Sequence, residues 1–362
     1  MLSCKAFLTL LLIALLFSCS NRESHVEEEK GLKDFYGEYF PMGVAVSPRA
    51  LSTDEAGLIV QQFNSITAEN AMKMGPIHPQ EDEYFWKHAD SIVAFAERNK
   101  MKIRGHTLCW HNQTPAWMFI DADSNWVSKE VLLARLKDHI TSVVSRYRGK
   151  IYAWDVVNEV ISDKKDEFYR DSPWYKICGS EFITKAFEYA HAADPEALLF
   201  YNDYNEIDPV KRKKIIQLVA GLRAADVPVH GVGLQGHWSI YEPSYARLDS
   251  ALTEFSALGI PLQITELDVS VYPKEHGRRE RKPEDDLTDF TPEKDQKQSE
   301  AYKTYFEVFR KHKDVITGVT FWNISDRHSW LDNFPVRNRK DHPLLFDKDL
   351  QPKKAYHAVA DF

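Results

Sequence analysis

Eight short apolar runs, separated by stretches that read as helices, constrain the fold of this chain more than any other feature. The runs occupy 40–46, 65–69, 103–110, 151–159, 197–201, 230–235, 261–269 and 317–322. Short, nearly continuous apolar runs suit strands of a parallel sheet, which are buried on both faces. Between them, residues 131–147 place Leu132, Leu136, His139, Ile140, Val143 and Val144 on one helical face, and 182–192, 210–224 and 298–309 are also amphipathic. Strand and helix alternating in this way predict an α/β fold, a single (β/α)8 TIM barrel, for which 362 residues and 43% hydrophobic content suffice. A doubly wound open sheet is the alternative. The polar residues along the later part of the runs discriminate between the two: Glu69-Asn70, His106, Asn158-Glu159, Asn202-Asp203, Gln235 to His237, Glu266 to Asp268, and Trp322 all lie in or just beyond the C-terminal half of a run. A barrel uses all its strand ends at one mouth, whereas an open sheet binds its ligand at one switch point. Ser52 with Glu55 three residues on reads as a capping box, and Ala193-Asp194-Pro195 as a helix end.

The net charge of −8 argues against a nucleic-acid or anionic-membrane partner. Lys5 followed by the apolar stretch 6–17 has the form of a signal sequence, and Leu16-Phe17-Ser18-Cys19 resembles a bacterial lipobox. Residues 1–18 are therefore expected to be a lipoprotein signal peptide and 19–32 a polar tether, with the catalytic domain over 33–362. The membrane is expected to be reached only through a lipid on Cys19, which gives an outer-membrane or cell-surface protein, with a periplasmic or extracellular form as the alternative. Glu23, Glu27, Glu28 and Glu29 lean toward surface export. Cys109 reads as a small buried hydrophobe, and its pairing with Cys178 stays open.

Two run ends carry glutamates, Glu159 and Glu266. A carboxylate at the mouth of a buried strand costs desolvation energy, and two facing each other are the minimum equipment for glycoside hydrolysis: one acid and one nucleophile or base. Strand alternation places Ile264, Glu266 and Asp268 on one face, with Thr265 and Leu267 turned outward to the helices. Two acids on one face repel, and His237, at the end of the preceding run, is the expected partner for both. Trp110, Trp322 and Trp330 lie at or beyond strand ends, where indole faces stack on sugar rings. For any one of them, a place in the core would be the simpler reading. Glu69, Asn70 and Lys73 offer fixed polar groups for hydroxyls.

The segments 67–73, 105–111, 154–159, 201–205, 233–237, 264–268 and 321–326 together resemble, in order, the motifs of family 10 glycoside hydrolases, the endo-β-1,4-xylanases. The resemblance implies a retaining double displacement on xylan, with Glu159 as acid/base and Glu266 as nucleophile. It implies sugar contacts from Glu69, Asn70, Lys73, His106, Trp110, Asn158, Gln235, Trp322 and Trp330. It casts His237 and Asp268 as supports of the nucleophile, with Asn158 beside the acid, and Tyr204 and Asn205 as leaving-group-side contacts. It implies no metal or organic cofactor, and a monomer is expected. Two stretches depart from the pattern: Met74-Gly75-Pro76-Ile77 after the lysine, and the long charged segment 272–294, expected to form a loop beside the cleft. No appended carbohydrate-binding module is expected. Two other readings share these residues: the same mechanism on another β-1,4 glycan, and a surface glycan-binding protein that has lost catalysis.

Overall fold

In the computed structural model, which describes residues 30–275, 277–286 and 289–362, nine parallel strands are threaded between helices. They are β1 (Met42–Val46), β2 (Ser65–Ala68), β3 (Lys102–Trp110), β4 (Ala153–Asn158), β5 (Leu198–Asp203), β6 (Gly231–Leu234), β7 (His237–Ser239), β8 (Leu262–Ser270) and β9 (Ile316–Phe321). Neighbours in sequence pair in space from β1 to β6, then β6 pairs with β8, β8 with β9, and β9 with β1. Eight strands thus close a barrel, and β7 is a short extension that pairs only with the far end of β8, with His237 opposite Asp268. The eight expected runs are the eight barrel strands. The β7 extension was not anticipated: it lies beyond the expected run 230–235, past a tight turn at Gly236 with φ of 78°.

Helices Lys129–Arg146, Glu181–Ala193, Pro209–Ala224 and Pro292–Lys311 cover the barrel where amphipathic stretches were expected. Ser128, Asp208 and Thr291 cap three of these N-termini through their side chains. The expected capping box at Ser52 does not form. Ser52 ends a short 3-10 turn, Ala50–Ser52, where its hydroxyl donates to the Arg49 carbonyl, and the helix starts later, at Glu55, behind an Asp54 whose side chain caps nothing.

The expected leader, 1–18, and residues 19–29 of the expected tether lie outside the described residues. Gly31 and Leu32, also assigned to the tether, already belong to the fold. Leu32 is fully buried and its amide donates to Gln62 Oε1 at 3.0 Å. A Cβ on Gly31 would lie 2.0 Å from the Gln61 carbonyl oxygen.

The barrel interior is polar on the axis. Arg104 is fully buried, donates both terminal nitrogens to Asp155, and donates Nε to Gln263 Oε1 at 2.9 Å. A buried guanidinium is tolerable only with its donors satisfied in this way. Cys109 and Cys178 are both buried free thiols.

Candidate active site

At the end of β4 the chain turns sharply, and Glu159 takes a left-handed conformation with φ of 60°. Such backbone is uncommon outside glycine and persists only where the surroundings hold it. Here the Glu159 amide donates to the Asn202 carbonyl at 2.9 Å, and the Glu159 carbonyl accepts from Arg170 Nε at 2.8 Å. The turn aims the carboxyl into the barrel mouth. Oε2 accepts from Trp110 Nε1 at 2.8 Å, and Oε1 from Gln235 Nε2 at 3.0 Å and Asn158 Nδ2 at 3.3 Å. Burial pushes this carboxyl above its ordinary pKa, and the negative charges of Asp203 and Glu266 push the same way, against the hydrogen bonds from Gln235 and Trp110.

Glu266 is displaced in the opposite direction. Burial alone would raise it, but the charges of His106, His237 and Lys73 and the His237 hydrogen bond bring it down to about 2. Its Oε2 lies 3.2 Å from His237 Nε2, its Oε1 accepts from Asn202 Nδ2 at 2.8 Å, and His106 Nδ1 stands 4.0 Å away. His237 Nδ1 is 3.0 Å from Asp268 Oδ2, which also accepts from Trp330 Nε1 at 2.8 Å. Between two carboxylates, the imidazole is pushed up to about 10 despite its burial.

One expectation on β8 fails. Thr265 does not turn outward: its hydroxyl donates to Asn202 Oδ1 at 2.7 Å inside the barrel. The pairing of β8 with β9 shifts between Ile264 and Leu267, and such a bulge inserts a residue that breaks simple alternation. Thr265 and Glu266 therefore both reach Asn202, and Leu267 stays in the apolar layer. Gly233 on β6 makes this possible, since a Cβ there would stand 2.2 Å from Asn202 Oδ1.

The other expected residues gather around this pair. Lys73, buried, donates to Asn70 Oδ1 at 3.0 Å and lies over the rings of Trp110 at 5.0 Å and Trp322 at 5.7 Å. Burial lowers its pKa, against the pull of Glu266, Glu69 and Glu159. Burial raises that of Glu69, partly offset by the Lys73 charge. His106 donates Nδ1 to Asp155 Oδ2 at 2.8 Å and meets the Trp322 ring edge-on at 5.2 Å. Trp322 is almost buried, so it serves as a wall more than a platform. Tyr204 and Asn205 both donate to Asp163, and Tyr204 also accepts from Arg170, which holds the Glu159 carbonyl. The stretch 74–77 forms a short helical turn away from the two glutamates, with the Gly75 amide donating to the Gln113 carbonyl at 2.7 Å. The described part of the 272–294 segment, whose last three residues open the helix Pro292–Lys311 where a loop was expected, is pinned to the 335–341 loop: Arg339 Nη1 lies 2.8 Å from Glu275 Oε1 and 3.0 Å from Asp285 Oδ1. From there Arg278 lies 5.8 Å over Phe334, which stacks on Trp330.

Several participants were not singled out in the sequence. Asn202 links the two glutamates, donating Nδ2 to both Asn158 Oδ1 and Glu266 Oε1 at 2.8 Å. Its place at a strand end was the available signal. Arg170 and Asp163 sit in a connection after β4 and carried none. Among the described residues, no group of three or more His, Cys, Asp or Glu side chains is arranged to hold a metal ion.

Chemically, the mouth offers one carboxyl poised to give a proton and one poised to act as an anion, joined through Asn158 and Asn202 and walled by indoles. The sequence profile of glycosyl hydrolase family 10 matches residues 31–362. The chain is 49% identical over 332 residues to endo-1,4-beta-xylanase B of Paenibacillus barcinonensis, covering 92% of this chain and 98% of that one. It is 47% identical over 361 residues to a beta-1,4-xylanase of Dictyoglomus thermophilum, covering 99% and 98%. Among solved structures, xylanase XynB of Paenibacillus barcinonensis, complexed with a conduramine derivative, superposes with a TM-score of 0.88 at 48% identity, covering 92% of this chain and 99% of that one. A mutant structure in complex with xylotriose gives 0.87 at 44% identity, with coverage of 92% and 99%.

Proposed function

The chain belongs to glycosyl hydrolase family 10, and from that membership and the mouth of its barrel we propose its function: it is an endo-1,4-β-xylanase that hydrolyses internal β-1,4-xylosidic bonds with retention. The observation that carries the mechanism is the opposed displacement of two buried glutamates, Glu159 upward and Glu266 downward. Environments that drive two acids apart assign their roles. Glu159, protonated, gives its proton to the departing glycosidic oxygen. Glu266, ionised, attacks the anomeric carbon and forms a glycosyl-enzyme intermediate. Glu159, now a base, takes a proton from water, which releases the sugar and restores both groups. A retaining mechanism of this kind calls for the two carboxyl groups about 5–5.5 Å apart.

His237, held by Asp268, keeps Glu266 anionic, and Asn202 orients its second oxygen. Asn158 and Gln235 steady Glu159. Glu69, Asn70, Lys73, His106, Trp110, Trp322 and Trp330 form the glycone side, and Tyr204 and Asn205 begin the leaving-group side. The enzyme acts as a monomer, and the leader and Cys19 make the protein exported and lipid-anchored. That reading rests on the lipobox-like stretch 16–19. Palmitate labelling of intact cells, lost in Cys19→Ser, tests the anchor, and light scattering of the form beginning at Ser20 tests the oligomeric state.

The functional test is reducing-sugar release by that soluble form from xylan, carboxymethyl-cellulose and mixed-linkage glucan in parallel. Release from xylan is expected, and its loss in Glu159→Ala and Glu266→Ala. Release from the glucans instead keeps the mechanism and removes the substrate. Full activity in Glu266→Ala overturns both.

A further inference from the structure

Asn323, two residues past the end of β9, has φ of 111°. Glycine adopts such backbone freely, and an asparagine does so at a cost that only firm surroundings sustain. Here they are firm. The Trp322 amide donates to the Leu267 carbonyl at 2.9 Å, and the Asp326 amide to the Phe346 carbonyl at 2.9 Å. The Asp326 carboxylate is fixed in turn, accepting from the Leu344 amide and from Lys353 Nζ, both at 2.8 Å. A glycine would make the same turn with less strain, so the turn does not account for the side chain.

Core filling does not account for it either. Asn323 is 7% exposed, and its Nδ2 is buried with no partner at hydrogen-bond distance. A buried amide donor left open in this way is costly. Strand register shows what it faces. Phe321 lies opposite Val44 across β9 and β1, and Val46 lies opposite Ala68 across β1 and β2. Two residues on, Asn323 comes level with Val46, whose carbonyl accepts from the Glu69 amide at 3.0 Å. The side-chain amide leans from there on the Glu69 carboxyl. Burial raises that carboxyl, the Lys73 charge lowers it, and Asn323 adds to the lowering as a donor, although the contact is not closed to hydrogen-bond length. Glu69 itself is only half-buried. It can meet a sugar hydroxyl in front while Asn323 stays behind it.

We propose that Asn323 is a positioning residue for the glycone side, its amide seating the Glu69 carboxylate from behind so that the carboxylate accepts from a sugar hydroxyl in front. The proposal rests on the xylanase reading and adds to it a residue that acts on binding through Glu69 alone.

The test measures kcat, KM and melting temperature with linear xylohexaose as substrate for the wild type, Asn323→Gly, Asn323→Asp, Glu69→Ala and Glu69→Ala/Asn323→Gly. Asn323→Gly relieves the backbone and should hold its melting temperature. Its KM should rise about three- to tenfold, the range for one hydrogen bond, with kcat little changed. Asn323→Asp keeps the size and the backbone tolerance but turns the donor into an anion facing Glu69, so its KM should rise further than that of the glycine variant. In the Glu69→Ala background, Asn323→Gly should change KM by less than about twofold, because the group it acts through is gone. An unchanged KM in Asn323→Gly, an aspartate variant no worse than the glycine one, or an undiminished effect without Glu69 would each overturn the proposal. Failure of the wild type to cleave xylohexaose would instead overturn the xylanase reading on which it stands.

Discussion

Glu266 works because its surroundings contradict its burial. A buried carboxylate should take up a proton near neutral pH, yet the positive charge around it keeps this one ionised down to about pH 2. His237 supplies both a hydrogen bond and a charge to that effect. In His237→Asn the burial remains and the charge is lost, so the pKa of Glu266 rises and the acid limb of the pH–rate profile moves to higher pH. The rate at the optimum should fall on the order of 10²-fold, as for loss of one preorganised donor. A lower rate with an unmoved acid limb would reduce His237 to a packing role. For Glu159 the sign is reversed. It must be protonated to act, and burial raises its pKa, so the alkaline limb belongs to it. Glu159→Gln should lose turnover on xylan yet still release a good leaving group, such as a nitrophenolate, in an initial burst that needs no acid. Equal loss on both substrates would argue against the acid role. At this scale the sequence was legible where a polar residue stood in or just beyond the C-terminal half of an apolar run, as Glu159, Glu266 and His237 do. Arg170, which holds the strained turn at Glu159, comes from a connection with no periodicity, and nothing in its local sequence marks it.

The strands were legible as runs, but the irregularities that make them useful were not. A bulge moves one residue, and its cause is long-range packing that leaves no trace in hydrophobic period. On β8 that shift brings Thr265 and Glu266 together on Asn202. On β4 a second shift, between Asp155 and Val157, precedes the turn at Glu159. Gly233 is the element-level condition for both to meet. In Gly233→Ala the new methyl would lie 2.2 Å from Asn202 Oδ1 and 2.9 Å from Thr265 Cγ2, and neither side chain can retreat without breaking a hydrogen bond. The variant should lose about 1–3 kcal/mol, the usual cost of overpacking, and more than tenfold in kcat, because Asn202 positions Glu266. Urea midpoints and initial rates on xylan check the two losses separately. Stability lost with full activity would mean that Asn202 is only structural. The missed capping box at Ser52 has a similar origin, since a preceding 3-10 turn had already engaged its hydroxyl.

Closing eight strands into one barrel buries histidines that the reaction never uses, and they bear on the acid stability of the whole molecule. His139 is fully buried on the helix Lys129–Arg146, with its Nδ1 3.1 Å from that of His78, which stacks on Tyr84 at 3.8 Å. Burial pushes His139 down to about 3 and lowers His78 as well. Both are then neutral in the folded chain, whereas in the unfolded chain a histidine takes up its proton near pH 6.5. Between these values the unfolded state binds more protons, so stability falls as pH falls through that window and is fully present only above it. The sequence placed His139 on the core-facing stripe of its helix, but not opposite another histidine, because the partner comes from a loop after β2, 61 residues earlier. Replacing both rings at once, in His78→Phe/His139→Leu, removes the titrating groups without stranding either nitrogen. Urea midpoints measured from pH 7.5 to pH 4.5 should decline less steeply in the variant than in the wild type, with the two lines converging or crossing toward acid. The carboxylates are common to both proteins and cancel in the difference. Parallel lines would mean that the pair titrates alike in the folded and unfolded chains, and that acid unfolding of this barrel begins elsewhere.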